Sequence, residues 1–148
     1  RINFRRVDVG KDPEFVVDIG TGTGILALAA SMMGARHTLA VDLNFLSVQT
    51  AQKNVIHNDL KDKILTVSGR AEKFMDYPVD FMIANVHYDV IEKLINDECF
   101  YRKKRFLLSG LLKSEARKAK NCLYRNNAKI TRTWDEDGIW FTFLGEVL

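Results

Sequence analysis

The sequence predicts an α/β fold: a doubly wound, seven-stranded sheet, mostly parallel, that closes with an antiparallel C-terminal hairpin strand. Three observations carry that prediction. Short apolar runs alternate with longer segments of helical periodicity from residue 15 onward, the pattern of parallel strands joined by crossover helices. A glycine-rich segment directly follows the first apolar run and opens a helical stretch, which marks a strand, a tight turn and a helix start. Near the C-terminus, Asp135-Glu136-Asp137-Gly138 separates two alternating segments, and Asp-Gly at such a junction is a hairpin signal.

The elements follow in order. Phe15-Val16-Val17 reads as the first strand, and Asp18-Ile19-Gly20-Thr21-Gly22-Thr23-Gly24 as the turn after it. Residues 25–35 form the longest apolar stretch, broken by Ser31 and Gly34; it is too short to cross a bilayer and is expected to be a buried helix. Leu39-Ala40-Val41 makes a second strand that ends in Asp42, ahead of a helix over 45–57. Strands are expected over 64–67, 79–84 and 105–109, with a helix over 87–95 between the last two. In a helix over 111–124, Leu112, Ala116, Ala119 and Leu123 recur at helical spacing and are expected to face the sheet. Asn126-Asn127 marks a turn before two strands at 128–134 and 139–147. The whole reads as one domain over 1–148, with 1–14 as a short N-terminal extension and no repeat, low-complexity tract or linker.

Composition agrees. A chain of 148 residues that is 47% hydrophobic and 28% charged can bury a core of its own. A net charge of +3 does not by itself announce a nucleic-acid binder. Positive charge does gather in the second half, at Arg102-Lys103-Lys104-Arg105 and then at Lys113, Arg117, Lys118, Lys120 and Arg125. The plain reading is a solvated face, and a basic face of this kind also suits RNA. Cys99 and Cys122 lack the paired spacing of a zinc or redox motif and read as reduced structural thiols, so no metal is expected. The chain starts at Arg1 and shows no signal-peptide series, which reads as a cytoplasmic chain, truncated at its start, with no membrane partner.

The glycine spacing narrows the ligand. A dinucleotide fingerprint starting at Gly20 or Gly22 needs glycine at 25 or 27, where Ile25 and Ala27 stand. A phosphate loop needs a terminal Gly-Lys, and no lysine lies between Lys11 and Lys53. What remains, Asp-x-Gly-x-Gly-x-Gly, resembles the first motif of the Rossmann-like S-adenosylmethionine (SAM) methyltransferases. That resemblance implies SAM as cofactor, held at Asp18, Gly20, Thr21, Gly22 and Gly24.

Asp42 sits where a carboxylate at the tip of the second strand accepts both hydroxyls of a ribose, because an ionised carboxylate offers two oxygens and no donor. Capping of the next helix by Asp42 or Asn44 is compatible with that role. After the third strand comes Ser68-Gly69-Arg70-Ala71-Glu72. SAM enzymes grip adenine at this point, and Ala71, Glu72 and Leu43 match in type; the alternative for Glu72 is a first-turn carboxylate favoured by the helix dipole.

After the fourth strand, Ala84-Asn85-Val86-His87-Tyr88 supplies the acceptor side. The carbonyl oxygen of Asn85 can accept a hydrogen from an incoming amine and aim its lone pair, so that transfer needs mainly positioning. The alternative for Asn85 is a helix cap. His87 has the right intrinsic pKa for a general base but no partner visible in sequence. Tyr88 offers an aromatic wall, three residues after Asn85 as in the Asn-Pro-Pro-Tyr motif of amino-methylating enzymes, here without the prolines.

Four segments together resemble one family, the methyltransferases of ribosomal protein L11 (PrmA): residues 18–27, Ala84-Asn85-Val86 with Asp89-Val90-Ile91, Leu108-Ser109-Gly110-Leu111-Leu112, and Trp140 after an acidic turn. The resemblance implies SAM at Gly20, Gly22 and Asp42, Asn85 facing the acceptor, and a ribosomal protein N-methylated on lysine or its amino terminus. The family also carries an N-terminal substrate domain and a Phe-Gly-Thr-Gly segment over the cofactor. Here Asn3-Phe4-Arg5-Arg6-Val7-Asp8 stands in that segment's place. Two other functions fit the same motifs: methyl transfer to RNA or a small molecule, and a SAM-binding protein that transfers nothing.

Overall fold

The structure, a computed structural model, describes residues 14–148. The N-terminal extension and the segment at 3–8 lie outside the described residues, Glu14 apart. Seven strands form one sheet in the order β3-β2-β1-β4-β5-β7-β6. β1 (Phe15–Ile19), β2 (His37–Asp42), β3 (Ile64–Ser68), β4 (Phe81–Asn85) and β5 (Arg105–Leu112) run parallel. β6 (Ala128–Glu136) and β7 (Trp140–Val147) form the C-terminal hairpin, and β7 pairs antiparallel with β5.

The chain winds outward from β1 through β2 to β3, then returns to the other side of β1 as β4. That reversal leaves a crevice at the carboxyl ends of β1 and β4, because the crossovers on its two sides depart in opposite directions. α1 (Ile25–Met32) and α2 (Phe45–His57) cover one face of the sheet; α3 (Tyr88–Asn96) and α4 (Lys113–Arg125) cover the other. Alternation along the strands does the sorting. In β4, Met82 and Ala84 join Val17, Val41, Phe106 and Leu108 against α3 and α4, while Phe81 and Ile83 face the α1 side with Val16, Leu107 and Leu144. Among the described residues, no helix is long and apolar enough to cross a membrane.

Three expectations are corrected. The stretch at 25–35 is not a buried helix: α1 buries only Ala27 and Ser31, and leaves Ile25 and Met32 exposed. β5 runs on through Gly110 to Leu112, so Leu112 is the exposed residue ahead of α4 and Leu111 takes the core position. The extension follows from a bulge at Gly110, whose φ of +85° shifts the register to β7 between Ser109 and Leu111. The basic run at 102–105 is not wholly solvated. Lys103 is buried in front of β5 and donates from Nζ to the carbonyls of Met75 (2.5 Å) and Tyr77 (2.6 Å).

Candidate active site

The loop after β1 is built by a small hydrogen-bond circuit. Asp18 is 1% exposed, and its Oδ2 accepts from the Thr21 hydroxyl at 2.6 Å and from the Ala27 amide at 3.1 Å. Both bonds fold the glycine segment back over the end of β1. Burial pushes the Asp18 carboxyl up to about 7, against the pull of those two hydrogen bonds. Its Oδ1 has no partner among the described residues. Thr21 adds backbone bonds to Val41 and Gly24, and the Asn54 side chain of α2 donates to the Thr23 carbonyl.

Asp42 ties the loop to the tip of β2. Its Oδ2 accepts from the Gly22 amide at 2.9 Å and its Oδ1 from the Asn44 amide at 2.8 Å. Each oxygen has capacity for a further hydrogen bond and Asp42 lines the crevice, so the carboxylate is held in place and still able to accept hydroxyls. The cap of α2 belongs to Asn44, whose Oδ1 accepts from Leu46 N.

A cleft of about 650 Å³ opens beside this loop, within the range of cofactor sites. Gly20, Asp42, Leu43, Ala71, Glu72 and Asn85 all line it. Gly20 is required there: φ is +69°, and a β-carbon would stand 2.2 Å from Cγ1 of Val86, which also lines the cleft. This cradle, a carboxylate at its far wall and an apolar ledge of Leu43 and Ala71, fit a nucleoside with a small amino-acid tail. Glu72 opens a one-turn 3₁₀ helix (Ala71–Phe74), exposed, with Lys93 at 3.9 Å.

The remaining expected residues lie elsewhere. Asp18 and Thr21 are buried beneath the loop and act as its supports. The Gly22 amide faces Asp42. Gly24 packs against α2, where a β-carbon would meet Ala51 Cβ at 3.1 Å. Tyr88 turns away from the cleft to the groove between α3 and α4, since it opens α3 on the side facing α4; its hydroxyl donates to Glu92 at 3.2 Å. Burial, then Glu92, pushes the phenol up to about 12, so it stays protonated, and its ring lines the groove between α3 and α4 rather than the crevice. His87 lines the cleft, exposed and ahead of α3, with no side-chain cap bond.

A second cleft, of about 770 Å³, adjoins the first and shares Asn85, Gly110 and Trp140 with it. Its walls are Trp134 and Trp140 from the hairpin and Ile25, Leu26 and Ala29 from α1. Asp135 and Glu136 stand on its rim, and the buried Ser109 and Thr142 hydroxyls, 2.7 Å apart, form its floor. The Asn85 side chain is exposed and makes no hydrogen bond among the described residues, so it does not cap α3. Space around its Oδ1 exists because position 110 is glycine; a β-carbon there would lie 3.2 Å from that oxygen. Sequence reasoning missed Trp134, Ser109 and Thr142 as lining residues. Only the alternation of the two hairpin strands pointed to which of their side chains face inward.

Comparison with known proteins agrees with this geometry. Residues 6–146 match the family model of ribosomal protein L11 methyltransferase (PrmA). A ribosomal protein L11 methyltransferase of Desulforamulus reducens is 35% identical over 133 residues, covering 88% of this chain and 43% of the relative. The crystal structure of a ribosomal protein L11 methylase from Lactobacillus delbrueckii subsp. bulgaricus superimposes with a TM-score of 0.79 at 26% identity, over 97% of this chain and 73% of that one. The M. capricolum TrmK structure with the cofactor product S-adenosyl-homocysteine shares the fold alone, with a TM-score of 0.71 at 17% identity over 90% of this chain and 61% of that one. The chain spans less than half the length of the curated relatives it matches. With its glycine cradle, its Asp42 and its seven-stranded sheet, the chain belongs to the ribosomal protein L11 methyltransferase (PrmA) family of SAM-dependent methyltransferases.

Proposed function

We propose that this chain binds SAM in the Gly20–Asp42 cleft and methylates a nitrogen acceptor held in the adjoining cleft. Ribosomal protein L11 is the substrate the family name supports, and a lysine or the amino terminus is the nitrogen the sequence resemblance implies. One observation carries the reading: the two clefts meet at Asn85, Gly110 and Trp140. A donor in one and an acceptor in the other are then in contact at a single point.

When bound, SAM supplies an electrophilic methyl on a good leaving group, so the protein's work is placement and desolvation. An alkylammonium is drawn to the carboxylates of Asp135 and Glu136. Its aliphatic stem packs between the tryptophans and Ile25 and Leu26, which strips water from the amine and favours loss of its proton to solvent. Asn85 Oδ1 then accepts one N–H of the neutral amine and turns the lone pair toward the methyl. SAM held there would supply the methyl group for the new N–C bond as its C–S bond broke, and the methylated nitrogen would lose its extra proton to water.

Calorimetric titration with SAM, followed by labelled methyl transfer to purified ribosomal protein L11, intact ribosomes and deproteinised ribosomal RNA, tests this. We expect SAM binding and label in the protein. The Asn85→Ala variant is expected to keep SAM affinity within a few-fold and lose transfer by roughly a hundredfold, the scale of a lost orienting contact. Label only in RNA, or SAM binding with no transfer to any acceptor, would overturn the assignment.

A further inference from the structure

We infer that the outer face of α4 is a docking surface for an RNA backbone, separate from the two clefts. Lys113, Arg117, Lys118, Lys120 and Arg125 are all exposed along this helix of 13 residues. Among the described residues none of them is in an ion pair. The helix's one acid, Glu115, is occupied, its Oε2 accepting from the Leu112 amide at 2.7 Å. With a net charge of +3 for the whole chain, five cations on one helix, none of them held by a carboxylate among the described residues, are a concentrated field rather than a dispersed surface.

The chemistry beside the cations favours a sugar-phosphate strand over an acidic protein. A groove of about 430 Å³ runs between α4 and α3, lined by Lys118, Arg125 and the amides of Asn96, Asn121 and Asn126. Glu92, the one carboxylate among the described residues lining that groove, accepts from the Tyr88 hydroxyl and is outnumbered by Lys118 and Arg125; Asn96 and Asn126 donate from Nδ2 to the carbonyls of Glu92 and Cys122 and keep further amide atoms for a ligand. Cations for phosphates and amides for ribose and base edges are the contacts a nucleic-acid backbone takes. Lys120 Nζ lies over the ring of the exposed Tyr124, 5.6 Å from its centroid, so a cation and an aromatic side chain stand together on this surface. The outer face of α4 carries no aliphatic anchor, and a protein interface relies on buried apolar or aromatic anchors at its centre. α4 begins one residue beyond Leu112, which pairs with Trp140, so a strand tracking the helix ends at the rim of the acceptor cleft.

The test is fluorescence anisotropy of the 148-residue chain with a labelled single-stranded RNA 20-mer, at several salt concentrations. Two triple variants remove equal charge from exposed positions: Arg117→Gln/Lys118→Gln/Arg125→Gln on α4, and Lys53→Gln/Lys61→Gln/Lys63→Gln on the opposite side. Loss of three phosphate contacts is expected to flatten the salt slope by about 2 and to weaken binding about tenfold at low salt in the α4 variant, with the other within twofold of the native chain. Equal weakening of both variants, no binding by the native chain, or equal displacement of RNA by poly-glutamate at matched charge would overturn the inference. SAM titration of all three chains reports folding and the cofactor site independently, so failure here is distinct from failure of the methyltransferase reading.

Discussion

Gly20 and Gly22 look equivalent in the motif, yet their neighbours differ. Both have positive φ, but a β-carbon at 20 collides with Val86, whereas at 22 it meets nothing within 4 Å. Gly22→Ala is therefore expected to cost only the backbone strain of about 1 kcal/mol. Gly20→Ala is expected to add the collision and to weaken SAM binding more than tenfold, read by calorimetry; equal losses for the two would refute the contact with Val86. Asp18 makes a second prediction at this scale. Its carboxyl titrates near 7 in the folded chain against an ordinary 3.8, with burial as the main cause, so the folded state holds the proton more tightly. Its contribution to stability is full below about pH 4 and is lost as pH climbs through 7. Asp18→Asn never ionises and keeps an oxygen for Thr21 and Ala27. Urea unfolding between pH 4.5 and 8 should show the variant gaining on the native chain by roughly 1 kcal/mol per pH unit up to about 7, then levelling. Parallel curves would show an Asp18 that titrates normally.

At the level of elements, the tip of β2 and the start of α2 divide their labour between two neighbouring side chains. Asn44 caps the helix; Asp42 braces the glycine loop and faces the cleft. Asn44→Ala is expected to lose about 1 kcal/mol of stability, a drop of roughly 2–4 °C in Tm, with SAM affinity unchanged. Asp42→Ala is expected to lose SAM affinity at least tenfold. Should Asn44→Ala weaken SAM as much, the two roles are not separate. The sequence left the cap open between Asp42 and Asn44, because either side chain reaches the first-turn amides. Only the bond from Gly22, twenty residues before Asp42, shows why the carboxylate points toward the loop instead.

On the scale of the whole molecule, both clefts open at the carboxyl ends of the strands, and a separate buried brace stands at the opposite end. There Lys103 joins the connection ahead of β4 to the start of β5 through the Met75 and Tyr77 carbonyls, and burial pushes its pKa down. Lys103→Ala leaves both carbonyls without that donor and is expected to cost about 3 kcal/mol, given the worth of two hydrogen bonds to a charged donor. Thermal unfolding should fall by several degrees while SAM affinity stays within twofold. A loss below 1 kcal/mol would mean that water replaces the amine without penalty.

The strands, the helices, the hairpin and the glycine loop were legible in sequence because each is set by residues a few positions apart: alternation, helical spacing, or a turn that only glycine accommodates. The same logic picked out Asp42, Ala71 and Asn85, residues at or shortly after strand ends, and all three line the cleft. Tyr88 and Lys103 were not, since which way an exposed-looking side chain turns depends on an element packed against it. The meeting of the two clefts at Asn85, Gly110 and Trp140 was decided by tertiary structure alone. It requires β4 beside β5 and β5 beside β7, and with that pairing residues 25 to 55 positions apart share one wall.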